Sequence, residues 1–443
     1  MVSRPLRVGL VAWHALPAIV PTDDSGGLAG GRSPGKPKYG ESFGGLETAI
    51  WTLARHMAKL PGIEPVCFVE ATAARNGSQP WPKEVDGVRL AIHVQRFKAI
   101  RHEVGECVDF GAKRIKRFSP KLLWQLPLLM ATRPFRSRDP VDSLPDPRLF
   151  DQAVDAWIAF GVTASSSRVV ATADRERTPC FVCIRSNAGL EDGLLGDDEY
   201  KNECGDTASA RRYALLQADH VVCQSQWQLD RLREVFHRDG LLARNPIDCR
   251  EWRPPWKVDV PESLAAPFDV LWVGRYDDFH KQPKLMLEAA KKLPHRSIKM
   301  IVNPFDPRVE AEVRQSVPSN VELIDRVPFE QMPAVFGAAR TFVSTGSLRH
   351  EGFPNVLLQA AASHTPIVSL SDHDQFLQRS GAGVTSSESL DDLPRLIEQQ
   401  ITEPTVSWSR VDDYLQQFHQ ADAIASQFAV WIQTAIESKR TPG

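Results

Sequence analysis

The stretch VLWVGRYDDFHKQPKLML sets two cations at the end of an apolar run. The run has strand length, stops at Gly274 and presents Arg275, and Lys281 follows six positions later, just ahead of a helical pattern. In open α/β sheets ligands sit at the carboxyl ends of strands. A planar guanidinium fork and a mobile ammonium placed there complement a diphosphate and can neutralise charge that grows on a departing phosphate. An exposed turn with ordinary surface charges is the competing reading. Further along, HEGFPNVLLQAAASHTP places Glu351 before a helix start. Pro354 suits the first turn, where its missing N–H would have had no partner, so a helix over 355–363 is expected. The backbone of Gly352, Phe353, Pro354, Asn355 and Val356 would then face whatever Glu351 faces. Glu351 can accept hydrogen bonds from hydroxyls, and Gln359 lies about one turn into the helix. Phosphate at a helix start and hydroxyls at a carboxylate describe a nucleotide sugar better than a free nucleotide.

A third element is Gly44-Gly45, directly before the amphipathic pattern LETAIWTLARHMAKL. Bare amides and the helix dipole favour an anion there; a glycine turn with a purely structural role is the alternative. The dinucleotide fingerprint is absent, because the turn between the strand RVGLVAW and this helix is some thirty residues long and its glycines come in pairs.

These residues need elements to hold them. A chain of 443 residues exceeds what one core usually encloses. With 42% apolar and 24% charged residues it reads as an ordinary globular protein. The net charge of −2 calls for no nucleic acid. Strand and helix patterns alternate from Arg7 and again from about residue 268, which predicts two doubly wound α/β domains facing each other across a cleft, joined through the proline-rich stretch LLARNPIDCREWRPPWKVDVPESLAAP. The seven cysteines read as buried reduced thiols; Cys180 and Cys183 have redox or zinc spacing, but a second pair is missing and their flanks are strand-like. Neither an export signal nor an apolar run of about 18 residues is seen, so a cytoplasmic protein is expected.

Residues 113–138, KRIKRFSPKLLWQLPLLMATRPFRSR, carry eight Lys or Arg and no acidic residue, interleaved with Phe118, Trp124, Leu126, Leu128 and Leu129. Such a segment can lie on an anionic membrane surface. The simpler reading is a solvated basic face around a core helix interrupted at Pro127. In SDHDQ, Asp372 and Asp374 match a short metal-binding pattern, but a three-residue match is expected by chance in a chain this long, and no metal is expected.

The segment EGFPNVLLQAAASHTP resembles the region of the family-4 (group 1) retaining glycosyltransferases of GT-B fold in which a carboxylate, seven residues and a second carboxylate precede a Gly-x-Pro turn. GGLETAIWTLARHM resembles the family's glycine loop and first helix, ADHVVCQSQWQLDRL the strand and helix before its linker, NPIDCREWRP the linker, and VGRYDDFHK the Arg/Lys pair. The likeness runs from about residue 7 to 370 and is weakest between 71 and 170. It implies a Rossmann-like acceptor domain over 1–252, a nucleotide-sugar donor domain over 253–418, and a last helix over 419–443 packing back on the first domain. It also implies a retaining hexosyl transfer from a nucleotide-diphospho sugar to a glycan, lipid-linked or small-molecule acceptor, with no cofactor or metal. Arg275 and Lys281 would bind the diphosphate, Glu351 the sugar hydroxyls and position 359 the ribose. The sequence departs from the pattern: Gln359 replaces the second Glu, His364 and Gln282 stand where glycines are usual, and Arg185 stands where many members have a sugar-contacting His. A nucleotide-sugar-binding protein with weak or no transfer is therefore the alternative.

Overall fold

The computed structural model describes residues 4–20, 44–71, 81–94, 98–109, 114–132, 144–202, 205–256 and 260–440. The paired glycines of 26–31, Lys113, Cys204 and the basic residues of 133–138 lie outside them. In the first half the strands are β1 (Leu6–Val11), β2 (Ile63–Ala71), β3 (Glu84–Val85), β4 (Val88–Val94), a small hairpin of β5 (Val108–Asp109) and β6 (Arg114–Ile115), β7 (Ala156–Phe160), β8 (Cys180–Cys183), β9 (His220–Cys223) and β10 (Leu241–Leu242). All but the hairpin form one sheet in the order β10-β9-β8-β7-β1-β2-β4-β3, parallel except at β3. The second half builds β11 (Phe268–Arg275), β12 (Ile298–Asn303), β13 (Val321–Ile324), β14 (Ala339–Ser344), β15 (Ile367–Ser369) and β16 (Gly383–Thr385) into a parallel sheet ordered β13-β12-β11-β14-β15-β16.

Apolar runs without alternation become strands covered on both faces, as parallel sheets require. One face of the first sheet packs Val8, Leu10 and Cys67 against Ile50 and Leu53 of the helix Gly45–Met57 and against Ile424, Phe428 and Ile432 of the last helix, Ala421–Arg440. The other packs Trp157 and Val182 against the helices Ala164–Glu176, Ala208–Gln217 and Gln226–Phe236. Those three helices start at Thr163, Thr207 and Ser225, whose hydroxyls accept from the amides of Ser166, Ala210 and Gln228 at 3.1–3.2 Å. Gly9 is required by close approach: a Cβ there would lie 2.6 Å from the Trp157 ring.

Ala243 packs in the first core, while Ile247 and Trp252 pack in the second, so the crossover falls inside the proline-rich stretch. The chain returns beside it: Ile247 N donates to His419 O at 2.8 Å and Ala421 N to Ile247 O at 3.1 Å. The seam is tied by Arg55 to Glu251 at 2.8 Å and by buried His56, which lies 3.4 Å from Asp248 and pairs with Asp422.

Two sequence readings are sharpened here. Cys180 and Cys183 pack into opposite faces of the first sheet, and burial pushes the Cys183 thiol up to about 12, as expected of inert strand residues. The stretch read as a solvated basic face differs from that expectation. Its described cations precede the helix Leu122–Ala131, and the outward side of that helix is apolar.

Candidate functional site

The carboxyl ends of both sheets open on one cleft of about 1610 Å³, lined from one side by Trp13, Gly44, Gly45 and Arg185 and from the other by Arg275, Lys281, Glu351 and Gln359. On the second-domain side, β11 delivers Arg275 at its last residue. Gly274 just before it is tightly enclosed, since a Cβ would sit 2.3 Å from the Trp272 ring. The turn after β11 is organised by Asp277, which is buried. Its Oδ1 accepts from the amides of Phe279 and His280 at 2.8 and 3.1 Å, and its Oδ2 accepts from Arg275 Nε at 2.8 Å and lies 2.9 Å from His280 Nδ1. Burial alone would raise the Asp277 carboxyl; hydrogen bonding by His280 and the Arg275 charge hold it well below the usual carboxylate range. The Arg275 guanidinium, fixed from this side, lies 4.0 Å over the Phe305 ring.

Lys281 is positioned through its backbone. Trp272 Nε1 donates to Thr345 Oγ1 at 2.9 Å, and Thr345 Oγ1 donates to Lys281 O at 2.8 Å. The Lys281 ammonium pairs with Oε1 of Glu351. Oε2 of Glu351 is buried and has no hydrogen-bond partner among the described residues. A buried carboxylate oxygen left over from an ion pair is a vacant acceptor, and burial without a donor is costly.

The helix after Glu351 spans Asn355–Ala362, with Pro354 as its N-cap and no side chain capping its amides. Gln359 is 9% exposed on the cleft wall. Phe353 turns into the core, 5.4 Å edge-on to Phe376, so only its backbone is offered to the cleft. Across the cleft, Gly44 caps the helix Gly45–Met57, but its amide already donates to Glu47 at 2.8 Å. The carboxylate thus occupies the place where an anion was expected. Gly45 serves close approach instead: its carbonyl accepts from Asn355 Nδ2, and a Cβ on it would lie 3.2 Å from that nitrogen.

Arg185 lies two residues past β8 inside the cleft, with Nη1 donating to Asn245 Oδ1 at 2.7 Å and its guanidinium 5.3 Å from the Phe160 ring. Burial pushes the guanidinium down. Asn245 passes the contact on, its Nδ2 donating to Phe353 O at 3.0 Å and Asn355 Oδ1 at 2.7 Å. Ser186 Oγ donates to His350 O at 2.6 Å and Asn187 Nδ2 to Leu348 O at 3.0 Å, while Ser186 and Glu351 form an antiparallel bridge. The first domain therefore grips the loop that carries Glu351.

Residues 267–399 match the family described as glycosyl transferases group 1. That match lies within the second α/β domain. Three solved structures show the extent of the likeness. Sucrose-phosphate synthase from Thermosynechococcus elongatus is 15% identical, with a TM-score of 0.64 over 98% of this chain and 100% of that one. Anabaena Alr3699/HepE, solved with UDP and glucose, is 12% identical, with a TM-score of 0.59 over 97% and 100%. The α,α-trehalose 6-phosphate synthase from Burkholderia multivorans is 11% identical, with a TM-score of 0.58 over 99% and 100%. At such identities they speak for the fold, which is GT-B over the whole chain. Among curated protein sequences none matches the chain.

Both positions at which the group 1 pattern would place glycine are left-handed here: Gln282 has φ 52° and His364 φ 56°. His364 is held by stacking on Trp408 at 4.6 Å and by Asp412 at 2.9 Å, contacts that offset the strain of a non-glycine residue there. Asp372 and Asp374 are engaged in structure: the first accepts from the amides of Leu377 and Gln378 at 2.8 and 3.1 Å, the second from Gln226 N at 3.0 Å and from Arg244. His373 between them is buried, its Nδ1 3.2 Å from Gly352 O, and burial keeps it down and neutral beside the Lys281–Glu351 pair. Sequence reasoning missed Asp277, Asn245, Ser186, His350 and His373. Asp277 had a local signal, two residues after Arg275 at a strand end; Asn245, Ser186 and His350 act through contacts across the cleft, and His373 through a contact with Gly352 inside the second domain.

Proposed function

We propose that the chain is a retaining, metal-independent glycosyltransferase that moves a hexose from a nucleotide-diphospho sugar to an acceptor hydroxyl. The observation that carries this is the convergence of Arg275, Lys281, Glu351 and the uncapped start of the helix Asn355–Ala362 on one wall of the cleft. The diphosphate fits between the two cations and the free amides. The vacant Oε2 of Glu351 fits a sugar hydroxyl, and Gln359 fits the ribose. In the reaction the bond from the anomeric carbon to the diphosphate breaks while the acceptor oxygen bonds from the same face and its proton passes to the leaving phosphate oxygen. Arg275 and Lys281 take the growing negative charge, so charge stabilisation and positioning carry the catalysis. The Alr3699/HepE structure, with its UDP and glucose, supports the same use of this fold.

Thermal unfolding with uridine, guanosine and adenosine diphosphates tests the donor half. One base is expected to raise the midpoint by several degrees, since ligand at a hundred times its Kd adds about 2.7 kcal/mol. Binding of one diphosphate without turnover of any of its sugars would leave the pocket in place and overturn the transferase. Gln359→Glu is expected to tighten binding of that diphosphate about three- to tenfold in titration calorimetry, because a carboxylate accepts ribose hydroxyls more strongly than an amide. Unchanged affinity would move the ribose elsewhere.

A further inference from the structure

The insertion between β4 and β7 leaves the first sheet at the carboxyl end of β4, the end that faces the cleft. It comprises the helix Lys98–Cys107, the hairpin β5–β6 and the helix Leu122–Ala131, and it has its own small core of Val104, Cys107, Leu122 and Leu129. Gln125, on the same buried side, donates to Glu103 at 2.6 Å. Opposite that side the helix is also apolar. Leu123 and Met130 are each 73% exposed, Trp124 is 53% exposed, and Pro127 lies between them. Phe118 at 66% and Ile115 at 59% extend the set toward the hairpin. A helix apolar all round requires cover all round, and exposed apolar side chains gathered in one place mark an interaction surface.

The flank says what the cover is. Arg114, Lys116, Arg117 and Lys121 are exposed beside this face, and no Asp or Glu occurs between Phe110 and Arg138. Lys121 lies 3.5 Å from the Glu103 carboxylate. Apolar side chains including a tryptophan, flanked by exposed cations that include Lys116 and Arg117, complement an anionic lipid surface. No helix among the described residues is long and apolar enough to cross a membrane, so the contact is with one leaflet.

We propose that the outward face of the helix Leu122–Ala131 and its basic flank dock the protein on an anionic bilayer, beside the mouth of the cleft. The inference stands apart from the transferase reading, since neither donor nor turnover enters its test. Full-length protein is sedimented with phosphatidylcholine vesicles with and without phosphatidylglycerol. Binding is expected only with the anionic lipid, falling as salt is raised, with a blue shift of Trp fluorescence. Leu123→Glu combined with Met130→Glu is expected to lower partitioning at least about tenfold, and Lys116→Glu with Arg117→Glu to remove its salt dependence. Unfolding midpoints and diphosphate affinity should stay at wild-type values in both variants, which separates loss of docking from loss of fold. Absence of binding to anionic vesicles at low salt, or a Leu123→Glu/Met130→Glu variant that binds like wild type, overturns the proposal. So does a dimer in solution that the same variant dissociates, which would assign the face to a second copy.

Discussion

Lys281→Ala is expected to lower turnover of the preferred donor by about a hundred- to a thousandfold, the 2.7–4 kcal/mol typical of losing one charge-stabilising group in a water-poor site. Two effects add. The departing diphosphate loses a cation, and Glu351, 11% exposed, keeps a carboxylate whose partner has gone. An uncompensated carboxylate within reach of a diphosphate repels it, so donor affinity should fall along with kcat. Glu351→Ala should cost a comparable factor, mainly in the step that needs the sugar held still. Because the two side chains touch, the double variant is expected to be far better than the product of the two losses. Steady-state kinetics with thermal midpoints recorded for each variant checks this. If Lys281→Ala stays within about threefold of wild type, the diphosphate does not lie where the pair indicates.

Gly352→Ala should act with similar force by a different route. A Cβ at Gly352 would sit 1.7 Å from Gln224 Nε2, 2.9 Å from its Cδ and 3.0 Å from the carbonyl oxygen of Arg185. The Gln224 amide ends a side chain that lines the cleft and can turn aside, but the Arg185 carbonyl is backbone two residues past β8 and moves only with the chain. The methyl therefore wedges the first domain away from the loop that carries Glu351, breaking the contacts of Ser186 with His350 and of Asn245 with Phe353. Overpacking of this kind costs about 1–3 kcal/mol. It should appear as a tenfold or larger rise in donor KM and a larger radius in solution scattering, with each domain still folded. Gly196→Ala, where nothing lies within 4 Å of the added carbon, is the control and should behave as wild type. Equal behaviour of the two variants would show that the domains need not approach here.

Much of the second-domain wall of the cleft was legible because its signals are local. A strand ending in Gly-Arg, a lysine ahead of a helix and a carboxylate ahead of a proline-started helix are set by backbone propensities within about ten residues. The departures also carried information. Gln282 and His364 occupy left-handed positions that a glycine pattern predicts, and the strain at His364 is relieved by Trp408 and Asp412, residues more than forty positions away. The glycine pair at 44–45 was legible as a helix start but not in its use. That an acid three residues on, Glu47, takes the amide is a local capping contact, whereas the pressing of Asn355 on Gly45 depends on which side chains meet across the cleft.

By itself the sequence determined two parallel α/β domains, the Arg275, Lys281 and Glu351 set and an apolar, basic insertion, because strand and helix periods and charge spacing are properties of short segments. Tertiary structure alone decided the pairing of Lys281 with Glu351 and the grip of Ser186 and Asn245 on the Glu351 loop. It also decided which side of the helix Leu122–Ala131 is left uncovered. These are contacts between residues scores of positions apart or a choice between two equally apolar helix faces. The physical reason is that helix and strand periods fix which residues share a face, whereas packing of whole elements fixes what that face meets.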